Sequence, residues 1–359
     1  MYKIHLLPAG FGDSILIEYG QDDCPKFILI DGSVYYNFSV LMEAIKKVAP
    51  QLKRLELLVV THIDIDHIDG IILMLNHDRL PFEIKEIWFN GQKQLARLPN
   101  DLLGADQGDY LSLGIEKWNI PQNQTHFEGN PIMIHPDGSL ISFQLDGGMN
   151  IKLLSPDLDT LTELRANWKK QSTYLSDPEL YRRKLDEDTR YKFPKDLLGE
   201  DDLKALQNAK EEADDSLKNR SSIAFIATYE GKSCLFAADT PTHHLVKAVK
   251  SILSESGQEK LCVDAWKLAH HGSKKSTLSE LMKLIDTKKV LVSSDGKKYK
   301  HPNPETIAKL IKYLKNEPTF YFNYRTAFNE RWGEAQALGT PPFSAKYGTD
   351  DRGVSITLT

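Results

Sequence analysis

Ten residues, Thr61-His62-Ile63-Asp64-Ile65-Asp66-His67-Ile68-Asp69-Gly70, constrain this chain more than any other stretch. Ahead of them, Leu57-Leu58-Val59-Val60 is an unbroken apolar run that reads as a buried strand. Behind them, Ile71-Ile72-Leu73-Met74-Leu75 reads as the inward face of a helix. Two His and three Asp therefore crowd the turn between a strand end and a helix start. In an extended segment His62, Asp64 and Asp66 point the same way, because alternate side chains share a face. His67 joins them as the chain turns. A single Asp before a helix is ordinarily a cap for free backbone N–H groups. Five ionisable groups in eight positions exceed what capping uses. Carboxylates this close repel one another unless a cation lies among them. Imidazole plus carboxylate is a donor set for zinc, manganese or iron rather than calcium.

Around this stretch the chain alternates between strand-like and helix-like patterns. Strand-like runs at 2–7, 14–19 and 27–31 are punctuated by Gly10-Phe11-Gly12-Asp13 and Gly20-Gln21-Asp22-Asp23. A helix follows at 38–49, with Val40, Leu41, Ala44, Ile45 and Val48 on one face. Strands at 55–60 and 84–89 bracket the acidic turn and its helix. Residues 90–138 are less regular, and strands resume at 140–143 and 151–154. The second half shows strand-like runs at 222–229, 233–237, 263–268 and 290–293, separated by helices at 242–254 and 277–285. A helix opens at His301-Pro302-Asn303-Pro304, and strands near 318–322 and 353–358 follow. This alternation predicts a layered α/β core.

The 359 residues are read as one domain, 1–359, with an insertion at 157–218. The insertion is dense in both charges and carries helical patterns such as Asp202–Asp215. Trp168, Tyr174, Tyr181, Tyr191 and Phe193 punctuate it. It reads as a solvated helical excursion anchored by its aromatics, or as a lid or partner surface over the active site. A net charge of −5 excludes a global basic field for nucleic acid, though not a local groove. Cys24, Cys234 and Cys262 are too scattered for a disulfide framework or a cysteine metal site. Cys234 and Cys262, in apolar runs, are expected to be buried thiols. The N-terminus lacks the features of a secretory leader, and no apolar run has the length of a membrane span. A cytoplasmic protein with no membrane contact is expected.

Metal-competent residues recur at the other strand ends: Asp31, Asp239, His270 with His271, and His301 on a late loop. Ligands of α/β sheets gather beyond strand ends.

Read in order, Gly10-Phe11-Gly12-Asp13-Ser14, Leu29-Ile30-Asp31-Gly32, Thr61–Gly70, Asn219-Arg220-Ser221-Ser222-Ile223, Leu235-Phe236-Ala237-Ala238-Asp239, His270-His271-Gly272-Ser273 with Ser276, and Tyr299-Lys300-His301-Pro302 resemble the motifs of metallo-β-lactamase-fold hydrolases. The branch they resemble includes the metallo-hydrolase domain of ComEC-type DNA-uptake proteins. The resemblance spans about 1–305. It implies an αββα sandwich with a two-metal site along one edge. It assigns His62 and Asp64 to a first metal, and Asp66 and His67 to a second, with His270 or His271. Asp239 would bridge, and Asp31 would orient a ligand from behind. Two divalent metals are implied, zinc first, with manganese or iron as alternatives. They would lower the pKa of a bridging water so that hydroxide attacks a phosphorus or carbonyl centre. Asp66 would take the proton. His301 would donate to a non-bridging oxygen or to the leaving group, unless it merely opens the Pro-rich helix start. The family pattern His-x-His-x-Asp-His is broken by Asp64, and Asn219 stands where many relatives carry a third His.

Ser273 and Lys274, beside the His pair, are candidate substrate contacts, with capping and solvation as their ordinary roles. The leading expectation is a metal-dependent phosphodiesterase or nuclease. Lys274, Lys275, Lys297, Lys298 and Lys300 near the proposed site support it. A hydrolase of small esters, thioesters or lactones uses the same metals. A third reading is a catalytically impaired subunit that binds a protein partner through 157–218.

Overall fold

In the computed structural model, which describes residues 1–98, 110–172, 179, 200–335 and 342–358, two mixed sheets stack face to face. Tyr2–Leu6 (β1), Ile15–Gln21 (β2), Cys24–Ile30 (β3), Leu57–Val59 (β4) and Ile87–Trp88 (β5) belong to the first. The second takes Ser142–Gln144 (β6), Asn150–Ser155 (β7), Ala224–Tyr229 (β8), Lys232–Phe236 (β9), Ala265–Lys267 (β10), Lys289–Val292 (β11), Thr319–Phe322 (β12) and Ser344–Tyr347 (β13). Val354–Thr357 (β14) returns to the first sheet. The orders are β14-β1-β2-β3-β4-β5 and β13-β12-β11-β10-β9-β8-β7-β6.

Period-two patterning explains why the strands are apolar on both faces. In β3, Ile28 and Ile30 meet the opposite sheet, while Phe27 and Leu29 meet the helices outside. In β4 and just beyond it, Leu57 and Val59 face inward and Leu58 and Val60 outward. Facing them across the sandwich are Ile151, Leu153, Phe225, Phe236, Ala265 and Leu291. Helix Phe38–Val48 (α1) and helix Ile65–Asn76 (α2) cover the first sheet with Leu41, Ile45, Ile68, Ile72 and Leu75. Helices Thr242–Ser256, Ser279–Leu284 and Pro304–Tyr313 cover the second with Leu245, Val249, Leu281, Ile307 and Ile311. This is the αββα sandwich expected for the metallo-β-lactamase fold. Strands buried on both faces need near-continuous apolar runs, which is why their patterns looked so uniform in the sequence.

Several expectations fail in instructive ways. Val40 is 40% exposed and does not join Leu41, Ala44 and Ile45 in the core. The strand expected at 84–89 is split. Glu83–Ile84 pairs with Arg54–Leu55 in a separate ribbon, and only Ile87–Trp88 enters the sheet. Cys262 is exposed, because its strand Leu261–Cys262 is a two-residue edge pairing. The helix expected over Asp202–Asp215 ends at Gln207. Beyond it Glu211 accepts from the Ser279 backbone N–H and hydroxyl and from Lys309, contacts a continued helix would forfeit. Within the expected insertion, Leu158–Gln171 is packed into the first core through Leu161, Leu164 and Trp168. Tyr174, Tyr181, Tyr191 and Phe193 lie outside the described residues. Among the described residues, no helix is long and apolar enough to cross a membrane.

Strands β3 and β4 run parallel, as do β9, β10 and β11. Their carboxyl ends open along one edge of the sandwich. Two glycines let the backbone close up there. The Gly32 N–H donates to the His67 carbonyl at 2.7 Å and the Gly70 N–H to the Ser33 carbonyl at 3.1 Å. A Cβ on Gly70 would stand 1.8 Å from the Gly32 carbonyl oxygen. The start of α2 is thereby fixed against the loop after β3.

Candidate metal centre

The turn after β4 delivers His62 and Asp64 from extended backbone. Asp64 precedes α2 at the N-cap position, yet its side chain makes no capping hydrogen bond. Asp66 and His67 belong to the first helical turn, so they arrive by helix geometry and not by the strand alternation expected for Asp66. From the opposite sheet, Asp239 follows β9, and His270 with His271 follows β10. Asp31, Ala238, His270 and His271 all have left-handed backbone, with φ of 58°, 47°, 48° and 55°. Such backbone costs on the order of 1 kcal/mol or more per residue and persists where the surroundings enforce it.

The side chains converge on Asp239. Its Oδ1 lies 3.3 Å from His67 Nε2 and 3.9 Å from His271 Nε2. Its Oδ2 lies 3.9 Å from His62 Nε2 and 3.7 Å from His270 Nε2. Asp66 Oδ2 is 3.2 Å from His271 Nε2, and Asp64 Oδ2 is 3.6 Å from His62 Nε2. Two ligands of one tetrahedral zinc, each bonded at about 2.0–2.1 Å, sit about 3.3 Å apart. At 3.2 to 3.9 Å these donors lie at that spacing or slightly beyond it, in two groups, one about each oxygen of Asp239. His271 joins Asp66 and His67, and His270 joins His62 and Asp64, so the two adjacent histidines part company.

Each buried imidazole is fixed by its far nitrogen. His67 Nδ1 donates to Asp31 Oδ2 at 2.7 Å, and His271 Nδ1 donates to the Ser293 carbonyl at 3.1 Å. The Thr61 hydroxyl donates to Asp31 Oδ2 at 2.8 Å, leaving its lone pair for His62 Nδ1, 3.0 Å away. With Nδ1 committed as donor, Nε2 of all three rings carries a lone pair. Those three nitrogens and Asp239 Oδ1 are buried and lack a hydrogen-bond partner. Buried polar atoms are seldom left so. Divalent cations on the two sides of Asp239 would satisfy all of them, so the donor set fits the metals implied by the sequence.

Behind the ligands is a group that sequence reasoning missed. Asp13 lies 3.3 Å from His271 Nδ1 and accepts from Lys267 Nζ at 2.6 Å, both residues being almost fully buried. Asp13, His67, Asp239 and His271 each offer a ligand atom within 4.8 Å of the others. Asp13 engages Lys267 and the Nδ1 side of His271, so it supports the set from behind. It stood in the Gly-rich motif that the resemblance already included, but no role at the site was read for it. The strand pattern at 263–268 gave Lys267 no role, although a charge inside an apolar run stands out there. Asp214 and Lys218 were also missed. Asp214 approaches His270 Nδ1 at 3.6 Å, and Lys218 reaches Asp64.

Other residues singled out by sequence take varied positions. Asn219 Nδ2 and Ser276 Oγ lie 3.2 and 3.1 Å from His270 Nδ1. His301 is buried, with its ring 5.4 Å from that of His270 and its Nδ1 lacking a hydrogen-bond partner. Ser273 Oγ accepts from the Lys275 backbone N–H, a local turn contact. Lys274 turns to Glu305 at 2.8 Å.

Without metal, protons substitute for it. Burial alone would depress the His271 pKa, but Asp13 and Asp239 outweigh burial and hold it at about 10. His67 is likewise raised against the pull of burial, by Asp239 and Asp31. Burial opposes ionisation of Asp239, yet His270, His67 and His271 hold its carboxyl well below the usual range. Burial and the His270 and His271 charges keep His301 neutral. A His pKa raised by folding contributes stability that is present below the unfolded value and lost as pH climbs through the folded one. The metal-free protein should therefore lose stability from about pH 6.5 towards about pH 10, and the gain in melting temperature on adding zinc should grow over that interval. Calorimetry at a series of pH values checks this. A zinc-induced gain that shrinks with rising pH contradicts it.

No family model matches the chain, and neither does any curated protein. Among solved structures, zinc-bound PqqB from Methylobacterium extorquens aligns over 99% of this chain and 100% of its own, with 10% identity and a TM-score of 0.40. A mutant of CmlA beta-hydroxylase aligns over 99% of this chain and 54% of its own, with 10% identity and a TM-score of 0.39. The chain thus spans about half of that hydroxylase. At these scores neither likeness bears on the chemistry.

Proposed function

We propose that this chain is a metal-dependent hydrolase of the metallo-β-lactamase fold, allied to the ComEC-type branch and acting on a phosphodiester. The observation that carries the reading is the convergence of three bare, buried imidazole nitrogens on the two oxygens of Asp239. His62, Asp64 and His270 would hold one divalent metal, and Asp66, His67 and His271 the other, with Asp239 shared. Bound there, the metals supply a water deprotonated near neutral pH and a positive charge facing the reacting oxygen.

The chain's own groups do the rest. Asp31 keeps His67 in its Nδ1-protonated form, and Thr61 does the same for His62. Asp66, 3.2 Å from His271 Nε2, would accept the proton released by the water that the metals acidify. His301 is neutral, so it serves as a hydrogen-bond donor to a phosphoryl oxygen more readily than as an imidazolium acid. The mouth beside His301 favours an anionic aryl or nucleotide ester. Tyr299 is 47% exposed, and Lys298 Nζ lies 5.3 Å from the Phe11 ring and 5.5 Å from that of Tyr299.

Zinc- or manganese-loaded protein and its Asp66→Ala variant, assayed on a bis-aryl phosphodiester, single-stranded DNA and RNA, and carboxylic esters, test the reading. Diester cleavage is expected in the wild type, reduced at least about a hundredfold in Asp66→Ala. Cleavage of carboxylic esters alone would move the chain to the esterase class. Metal uptake with no hydrolysis would leave a binding subunit.

A further inference from the structure

Around Asp239 the two ligand sets differ at Asp64 and His270, since His62 is as buried as His67 and His271 and is set by Thr61, and the difference centres on Lys218. His67 and His271 are fully buried and gripped by core residues, Asp31 and Ser293. The side chains of Asp64 and His270 are 28% and 27% exposed. Both are met by one short surface turn, Leu217–Arg220. Ser216 caps this turn by accepting from the Asn219 N–H at 3.4 Å, and Arg220 ties it to Glu163 at 2.8 Å. From it, Asn219 approaches His270 Nδ1, and Lys218 Nζ sits 2.8 Å from Asp64 Oδ1. Asp64 therefore gives one oxygen to an ammonium and the other to His62 and the centre.

We propose that Lys218 is a built-in cation competing for the Asp64 carboxylate, so that the Asp64–His62–His270 side of the centre takes its metal more weakly, and exchanges it more readily, than the Asp66–His67–His271 side. The inference rests on the metal-centre reading above. Two effects oppose each other when Lys218 is removed. The carboxylate loses a clamp, but holding one short side chain still is worth only a few-fold in affinity. The ammonium also disappears. Its repulsion of a divalent ion on the other oxygen is worth roughly tenfold even at the dielectric constant of water. Repulsion outweighs the clamp, so removing Lys218 tightens the exposed side. The core-held side, which Lys218 does not touch, stays as it is.

The test is titration of the metal-stripped full chain with zinc against a chromophoric chelator, for wild type, Lys218→Met, Lys218→Gln and Lys218→Arg. The wild type should show a tight and a weak equivalent. In the Met and Gln variants the weak equivalent should tighten roughly tenfold, with the tight one unmoved. The Arg variant should stay within about threefold of wild type, since the charge is kept. One equivalent in wild type and two in Lys218→Met would support the proposal equally. A weak equivalent that is unchanged or weaker in both Met and Gln overturns it, as does a single equivalent in every variant, while the core-held side survives. No zinc bound by any of the four proteins would remove the metal-centre reading itself, and the proposal with it.

Discussion

Asp239→Asn is expected to disable both ligand sets in one step. Each oxygen of Asp239 faces its own group, Oδ1 towards His67 and His271 and Oδ2 towards His62 and His270. An amide keeps one acceptor oxygen and replaces the other with a donor that has no lone pair. Whichever way it turns, one set loses a ligand, and the negative charge shared by both is gone. Metal content should fall to less than one ion per chain. Hydrolysis should fall about a thousandfold or more, the rate equivalent of several kcal/mol of lost charge stabilisation. Asp31→Asn offers a contrast. Asp31 touches no bare nitrogen and acts through His67 Nδ1 and Thr61, so its loss should cost only about ten- to a hundredfold in metal affinity. Metal analysis after dialysis, with circular dichroism as a check on folding, separates the two. Asp239→Asn retaining two tightly held ions would remove the shared-carboxylate assignment.

What the sequence discloses of this centre follows from how local each signal is. Thr61–Gly70 is conspicuous because its apolar strand and helix adjoin the ionisable residues, so element and ligands share one window. Even there the reason for Asp66 was misjudged. Strand alternation and the first helical turn both bring it inward, and only coordinates distinguish them. His270 and His271 could not be told apart, since neighbouring residues in left-handed backbone follow neither the strand nor the helix period. Their division between the two oxygens of Asp239 is a three-dimensional fact. Lys218 and Asp214 lie in a stretch dense with charge, where each residue looks solvated on its own. The helix expected over Asp202–Asp215 overran because propensity cannot register Ser279 and Lys309, which take hold of Glu211 from distant elements. The layers of the fold were legible because both faces of its strands are buried, whereas the edge pairings of Glu83–Ile84 and Leu261–Cys262 depend on partners the local pattern does not name.

Asp13 and Lys267 are the extreme case, 254 residues apart in the chain and 2.6 Å apart in space. Replacing Lys267 by Met is expected to give the largest loss of stability. Met retains most of the apolar stem and removes the charge, leaving the Asp13 carboxylate buried at 1% exposure without its ammonium. Breaking a buried pair from one side costs about 3–5 kcal/mol, mostly the cost of the abandoned charge. The pH dependence identifies that cause. In the wild type, burial pushes the Asp13 pKa up, but Lys267 and His271 overcome it and hold the carboxyl far below its usual range. A carboxyl pKa depressed by folding contributes stability that is present above the unfolded value of about 4 and lost as pH falls. Without Lys267 burial is less opposed, the Asp13 pKa rises, and a proton takes the place of the ammonium. The deficit of Lys267→Met should therefore be largest near neutral pH and narrow towards about pH 5. Urea unfolding of both metal-free proteins across that range measures it. Asp13→Asn combined with Lys267→Met should cost clearly less than the two single changes summed, because no unpaired charge remains. A deficit constant with pH, together with additive single changes, would mean that Lys267 acts through its packing and that the Asp13 charge is not what it supports.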